Sequence, residues 1–467
     1  MEFIHKTGIL MMNNRKISSK NDVRHLGVLV GSKTADRIIA VSTLSVFEDS
    51  SLLQTFWDLE NTSIDSGFQG HIYTRFNDIL IVHVPYQDDS ILKLVTKSID
   101  INYQIWKSLT GIELSSAASR IILTSPKSGQ YKERLLENIT WYIGSLLDAA
   151  VNRHLKNGEA LLAFVLNNRL TKILQQASPE FIFLNEQCQI TSFLMDKNNA
   201  MQVLQDNGVC CAKTYLFNEG TDMDSFLYQI PDSINYIFKP AGGAAGIGVF
   251  GNIEGGVGIE LISKHLAELK QKSKLPVRFQ IQEFLSGKPQ GYTAYMNKDG
   301  TFEVLEIHEQ FINEAGRFIG GRWTLPNQTT QMETAVMLYK QLAAIQKPRF
   351  WGLICLDIID GKIIEINPRL TASAPIAHFL QKQSKLSKKL GQGFQIKQID
   401  INTGVQIPYE SISNGTLQQI IEYVWKENNV LALPQGLNPF GNSRLIFIND
   451  DEVSTAQKAF IQRLKNS

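Results

Sequence analysis

Cysteine is scarce in this chain. Four thiols, Cys188, Cys210, Cys211 and Cys355, stand among 467 residues. None forms a CxxC pair or a zinc-ligand spacing, which argues against a disulfide framework and a thiolate zinc site and predicts inert thiols in a reducing cytoplasm. Long apolar runs are missing as well. Gly8-Ile-Leu-Met-Met12 is the only early one, shorter than the apolar core of a signal peptide. No stretch approaches the roughly 20 apolar residues needed to cross a bilayer, so no membrane partner is expected. An excess of one charge is also lacking: 46 Lys and Arg against 45 Asp and Glu leave +1. Without a concentrated positive field, a general nucleic-acid surface is not expected. The one basic cluster, residues 382–389, reads as a solvated helix face or linker. GxSxG, HRD, DFG and GxxxxGK[ST] are all absent, which argues against the hydrolase, protein-kinase and P-loop classes they mark.

What is present points to nucleotide and carboxylate chemistry. The run Tyr236-Ile-Phe-Lys239-Pro-Ala-Gly242-Gly243-Ala-Ala-Gly246-Ile-Gly248-Val-Phe250 reads as an apolar strand ending on a lysine, followed by a glycine-rich turn. Bare backbone amides in such a turn approach a polyphosphate without interference from Cβ. Residues 246–251 satisfy GxGxxG, but a dinucleotide fingerprint opens a helix. Here Val249-Phe250 continues as strand towards Gly255-Gly256-Val257-Gly258, so a glycine hairpin closing over a triphosphate is expected, with an ordinary glycine-rich turn as the alternative. Lys239 ends an apolar strand, where an unpaired charge is costly.

Further along lies Asp357-Ile-Ile-Asp360-Gly361-Lys-Ile-Ile-Glu365-Ile-Asn367-Pro-Arg369. Two carboxylates and an amide around a tight turn are hard oxygen ligands, suited to Mg²⁺ held jointly with nucleotide phosphates. Glu365 and Asn367 share a strand face. The face of Asp357 depends on the hairpin. A simple two-residue type I′ turn pairs it with Ile364 and turns it away, whereas a three-residue turn or a bulge pairs it with Glu365. Arg369, two residues beyond Asn367, is the first candidate for stabilising charge on a transferring phosphoryl group. Arg322, in Arg317-Phe-Ile-Gly-Gly-Arg322, is the second, while Arg317 reads equally as a surface-turn arginine. Glu306 and His308 alternate with Ile307 on a predicted strand and face either substrate or solvent. His378 reads as a helix-surface histidine.

These segments, in this order, resemble the ATP-grasp superfamily over most of residues 190–375. The resemblance identifies Lys197 and Lys239 as ATP-contacting lysines, although Asp196-Lys197-Asn-Asn also reads as a helix cap. It implies that Gln282-Glu283-Phe284-Leu285 is the hinge that reads adenine, and that Gly242, Gly243, Gly246 and Gly248 cover the phosphates. Asp357, Glu365 and Asn367 would hold Mg²⁺, with Arg369 and Arg322 as the catalytic arginines. The implied activity is that of an ATP-dependent carboxylate-amine ligase: a carboxylate becomes an acyl phosphate with release of ADP, and an amine displaces phosphate. A carboxylase or phosphotransferase, or a nucleotide-binding regulator without turnover, is the alternative. The layout resembles the pheganomycin-type peptide ligases, which implies small-molecule carboxylate and amine substrates and leaves room for a carrier-bound substrate and a homodimer.

The length predicts more than one domain. Residues 1–25 are expected as a tail and 26–188 as a Rossmann-like α/β pre-ATP-grasp domain. Residues 189–380 form a two-lobed α+β ATP-grasp domain with its lid at about 198–285, and 381–467 a C-terminal α+β subdomain. Strands are predicted at 26–30, 79–84, 120–124, 279–285, 293–311, 351–359 and 362–366, and helices at 131–155, 199–207 and 452–464.

Overall fold

The structure, a computed structural model, describes residues 38–41, 79–83, 89–110, 121–124, 160–163, 182–183, 193–242, 246, 248–251, 255–297, 299–314, 316, 318–324, 329–350, 352–368, 371, 373, 398–437, 442–449 and 454–466. Short apolar runs near the N-terminus form β1 (Ile38–Val41), β2 (Ile79–His83), β3 (Ile121–Thr124), β4 (Ala160–Ala163) and β5 (Ile182–Phe183). They make a parallel sheet in the order β3-β2-β1-β4-β5. The strands predicted at 79–84 and 120–124 are β2 and β3. The tail, the strand at 26–30, the turn Gly31-Ser32-Lys33 and the helix at 131–155 lie outside the described residues. Helix α1 (Asp89–Thr110) carries an apolar stripe away from this sheet: Trp106 and Tyr103 pack on Trp323, Ile399 and Ile446.

A small lobe follows, built from α2 (Lys197–Asp206), β6 (Thr214–Phe217), α3 (Met223–Tyr228), β7 (Tyr236–Pro240), α4 (Ile259–Gln271) and β8 (Phe279–Glu283). Its antiparallel sheet runs β6-β8-β7. Strand alternation divides the two faces. Phe217, Phe238, Phe279 and Ile281 point to one side, where they bury Phe226, Ile262 and Leu266 of α3 and α4. Thr214, Lys239, Gln280 and Gln282 occupy the opposite side and are all buried.

The large sheet uses β9 (Gln290–Met296), β10 (Phe302–Ile312), β11 (Phe318–Thr324), β12 (Gly352–Ile359), β13 (Lys362–Asn367) and, later in the chain, β14 (Gln398–Gln406), β15 (Leu431–Gly436) and β16 (Asn442–Asn449). Its order is β13-β12-β9-β10-β11-β14-β16-β15. The run predicted as one strand at 293–311 is two. Turn chemistry divides it: Asn297 N–H donates to the Thr301 carbonyl, Asp299 accepts from Thr301 N–H, and Gly300 takes φ +88°. Helix α5 (Thr329–Ala344) covers one face of β9 and β12 through Ala335, Leu338, Tyr339 and Leu342, packed on Ile354, Leu356 and Ile358. The Tyr339 hydroxyl donates to the carbonyls of Tyr292 (2.6 Å) and Ile354 (2.9 Å).

Strands β14, β16 and β15 extend this same sheet. Helices α6 (Tyr409–Ser413), α7 (Thr416–Asn428) and α8 (Ser454–Lys465) cover their other face, with Ile421, Val424, Phe447 and Phe460 buried between, and Ile105 of α1 joins this cluster. The helix predicted at 452–464 is α8. Among the described residues no helix is long and apolar enough to cross a membrane.

Leu338 is fully buried between α5 and the sheet. Leu338→Ala is expected to cost about 2–5 kcal/mol through lost contact and a residual cavity, read by denaturant unfolding. A cost near zero would show that α5 does not clamp the sheet.

Candidate functional site

The polar face of the small sheet meets the β12–β13 hairpin. Asp360-Gly361 is a two-residue turn with φ +51° and +74°, so Ile359 pairs with Lys362 and Ile358 with Ile363. A register shift then inserts Ile364 as an extra residue, and Asp357 pairs with Glu365 and Cys355 with Asn367. The two alternatives for Asp357 are resolved by this bulge, which brings Asp357, Glu365 and Asn367 to one face. It also frees the Ile364 carbonyl from the ladder. That oxygen accepts from Lys239 Nζ (3.4 Å) and Gln282 Nε2 (3.2 Å), tying the small sheet to the hairpin.

Lys239 is 8% exposed. Its Nζ donates to Gln282 Oε1 at 2.7 Å. Burial pulls this ammonium below its ordinary value and Lys197 adds to the effect, while Glu365 and Asp357 oppose it. Lys197 is the first residue of α2, and its Nζ lies 3.6 Å from Glu365 Oε1. The cap reading also holds locally, because the neighbouring Asp196 accepts from Asn199 N–H at 3.0 Å. Burial, then the Glu365 charge, pushes the Asp357 carboxyl up to about 6, against Gln310, His308 and Lys239. Gln310 Nε2 donates to one oxygen of Asp357 (2.6 Å) and Asn367 Nδ2 to the other (3.0 Å).

The glycine segment folds back along β7. Phe238 and Phe250 exchange both backbone hydrogen bonds, as do Tyr236 and Val257, and α4 begins only at Ile259. This is the hairpin rather than the helix-opening geometry of a dinucleotide loop. Three glycines are required by space or backbone conformation: a Cβ on Gly248 would lie 2.7 Å from Pro240 Cγ, one on Gly251, at φ +143°, 2.7 Å from Ile237 Cδ1, and one on Gly256, at φ +65°, 2.7 Å from Phe284 Cβ. Gly242 and Gly246 are in the same segment, and Gly243 lies outside the described residues.

In the segment expected as the hinge, Gln282 is held by Lys239, Thr214 and Ile364. Glu283 accepts from Lys362 Nζ (2.7 Å) and Lys213 N–H (3.0 Å), and Leu285 follows half-buried. Arg369 and Arg317 lie outside the described residues. Arg322 requires a correction. It pairs with Glu309 across β10–β11, on the face opposite His308 and Gln310 and hence opposite Asp357. There it forms a bidentate pair with the buried Asp400 (3.0 and 2.9 Å) and lies over Phe311, so it braces β11 to β14. A phosphate beside Asp357 is out of its reach.

Sequence reasoning missed the brace behind Lys197. Arg278 donates to Asp196 (2.6 Å), Asn199 (2.9 Å) and Asn218 (3.0 Å), fixing the start of α2 against the small sheet. It also missed Gln310, which alternation from Glu306 and His308 places on their face. Those two lie on the Asp357 side of the sheet and are buried. Two buried acceptors, Gln280 Oε1 on the polar face of the small sheet and Asn198 Oδ1 at the start of α2, have no protein partner. Among the described residues no three His, Cys, Asp or Glu side chains form a metal cluster of their own. The donor set is a carboxylate pair with an amide, facing two lysines.

Residues 194–373 match the family model of the ATP-grasp domain. No curated protein matches the chain by sequence. Among solved structures, a biotin carboxylase from Campylobacter jejuni in an ATP complex is similar at TM-score 0.52 and 10% identity, over 90% of this chain and 89% of that one. An N5-carboxyaminoimidazole ribonucleotide synthetase in an ADP complex is similar at TM-score 0.50 and 11% identity, over 93% and 98%. The biotin carboxylase domain of a Hydrogenobacter thermophilus 2-oxoglutarate carboxylase, a dimer with MgADP, ADP and bicarbonate, is similar at TM-score 0.50 and 9% identity, over 88% and 86%. The mixed α/β fold of the C-terminal region is the ATP-grasp fold.

A raised Asp357 carboxyl means that the folded state binds its proton more tightly than the unfolded chain. The resulting stability is fully present below the ordinary carboxylate range and is lost as pH rises through about 6. Thermal unfolding on either side of that value should show the loss in the wild type and a smaller one in Asp357→Asn. Equal pH dependence in both proteins would remove Asp357 as its source.

Proposed function

We propose that the chain is an ADP-forming, ATP-dependent carboxylate-amine ligase. The convergence of Lys197, Lys239 and Gln282 from the small lobe on Asp357, Glu365 and Asn367 of the large sheet carries this reading. An all-oxygen donor set with one carboxyl pushed upward by burial and then by its neighbour fits a divalent cation, because a bound cation favours the charged pair. Asp357, Glu365 and Asn367 would hold Mg²⁺, which when bound neutralises charge on the phosphates of ATP. Lys197 and Lys239 pair with phosphate oxygens, the glycine hairpin covers them, and the unpartnered Gln280 and Asn198 oxygens accept from the nucleotide or its water. The hinge at Gln282 to Leu285 takes the adenine.

In the reaction, a substrate carboxylate attacks the γ-phosphate, the bond to the ADP oxygen breaks, and an acyl phosphate forms. Arg369 stabilises the transferring group. An amine then displaces phosphate, giving an amide or peptide bond. The narrower assignment is a cytoplasmic peptide ligase of the pheganomycin type, with residues 26–188 as the pre-ATP-grasp domain. The parallel order β3-β2-β1-β4-β5 supports that domain assignment. Substrates are small carboxylates and amines, one of them free or carried on a partner protein.

The test is ADP and phosphate release with Mg·ATP against pools of amino acids, di- and tripeptides and polyamines, with and without bicarbonate. Release that needs both a carboxylate and an amine is expected. Glu365→Gln should lower it by about 100-fold or more, the scale of losing electrostatic stabilisation at the reacting phosphate. Release with bicarbonate alone would replace the ligase reading with a carboxylase, and ATP binding without release would replace it with a regulatory role.

A further inference from the structure

Beyond the carboxylate pair, the same face of the large sheet holds a buried Glu306–His308 dyad. His308 is 2% exposed and Glu306 4%. His308 Nδ1 lies 2.9 Å from Glu306 Oε2, and the ring stacks on Trp323 with centroids 4.6 Å apart. The second Glu306 oxygen accepts from Thr293 Oγ1, and Trp323 Nε1 donates to the first. Burial alone would raise the Glu306 carboxyl. The charge of His308 and the hydrogen bonds from His308, Thr293 and Trp323 outweigh burial and hold it below its ordinary value. An ionised carboxylate only accepts, so Nδ1 carries a proton, and whenever the ring is neutral its lone pair is on Nε2. That Nε2 is buried and has no protein partner.

Gly291 shows where the ring lies. It pairs with both Asp357 and His308, and a Cβ there would lie 2.1 Å from His308 Cε1 and 2.6 Å from Nε2. The imidazole therefore spans a bare position towards the carboxylate pair. Along this row the order is Glu365, Asp357, Gly291, His308, so Asp357 separates His308 from Lys197, Lys239 and the hairpin. Phosphates belong to the lysine side. The far side is left for the second substrate.

We propose that His308 is the base of the coupling step, with Glu306 as its positioning residue, taking the proton of the attacking amine. This rests on the ligase reading. The amine lone pair forms the C–N bond at the acyl phosphate carbonyl, and the C–O bond to phosphate breaks with its electron pair leaving on phosphate. The ammonium proton passes to Nε2 and then to solvent.

Hydroxylamine, uncharged at neutral pH, intercepts acyl phosphates without a base and separates activation from coupling. The full-length wild type, His308→Gln and Glu306→Gln are given Mg·ATP and the amino-acid and peptide pool, with and without hydroxylamine, and hydroxamate and peptide are quantified by mass spectrometry. In His308→Gln, peptide formation should fall about 100-fold or more while hydroxamate formation persists, and Glu306→Gln should show the same split less severely. Persisting hydroxamate also reports an intact fold. External imidazole should restore peptide formation in His308→Ala. Unchanged peptide formation in His308→Gln, or equal loss of both products, overturns the assignment and leaves the ligase intact. A wild type that forms neither product overturns the ligase reading and the base with it.

Discussion

The extra residue at Ile364 is the constraint on which the cleft depends. A two-residue turn alone would send Asp357 to the opposite face from Glu365, since strand side chains alternate strictly. The bulge restores the match, places two carboxylates side by side, and leaves one carbonyl outside the ladder. Lys239 and Gln282 then use that carbonyl, so one backbone irregularity both gathers the charges and joins the two sheets. Two acids facing the buried Lys239 and the half-buried Lys197 are a near-neutral cluster whose members hold one another in place. Replacing any one charge alters the remaining three.

The joint between the lobes has further strands of connection. Cys211 bridges to Ile363, Ala212 N–H donates to the Ile363 carbonyl, and Ile363 N–H donates to Cys210. Glu283 reaches across to Lys362. All of these meet β13 on its outer edge, beside Asp360-Gly361. The thiols here are structural. Burial, then Cys210 and Glu283, pushes the Cys211 thiol up to about 11, which keeps it protonated and unreactive.

Much of the cleft was legible because it is local. A lysine ending an apolar strand, a glycine run continuing as strand, and Glu365 with Asn367 two apart each carry their geometry within a few residues. Asp357 was ambiguous for the opposite reason, since its direction turns on one residue of register in a partner strand. Arg322 was misplaced on similar grounds: its pairing with β10 and with Asp400, far along the chain, sets its face. Glu306 and His308 were correctly seen to share a face, yet alternation does not say which face is inside. That depends on α5 burying Ile307 with Ile354 and Leu356.

Helix α1 belongs to the early part of the chain, yet its Trp106 indole donates to the Pro434 carbonyl, 328 positions later. Its apolar stripe and the inner residues of β14 to β16 are each other's cover. On the ribosome the helix is made long before those strands exist. The apolar stripe around Trp106 therefore gains this cover only after residues 431–448 have been made. Completion of the large sheet thus waits for the synthesis of β15 and β16, and a chain stopped short of residue 431 would retain the cleft residues but leave the apolar stripe of α1 without its cover.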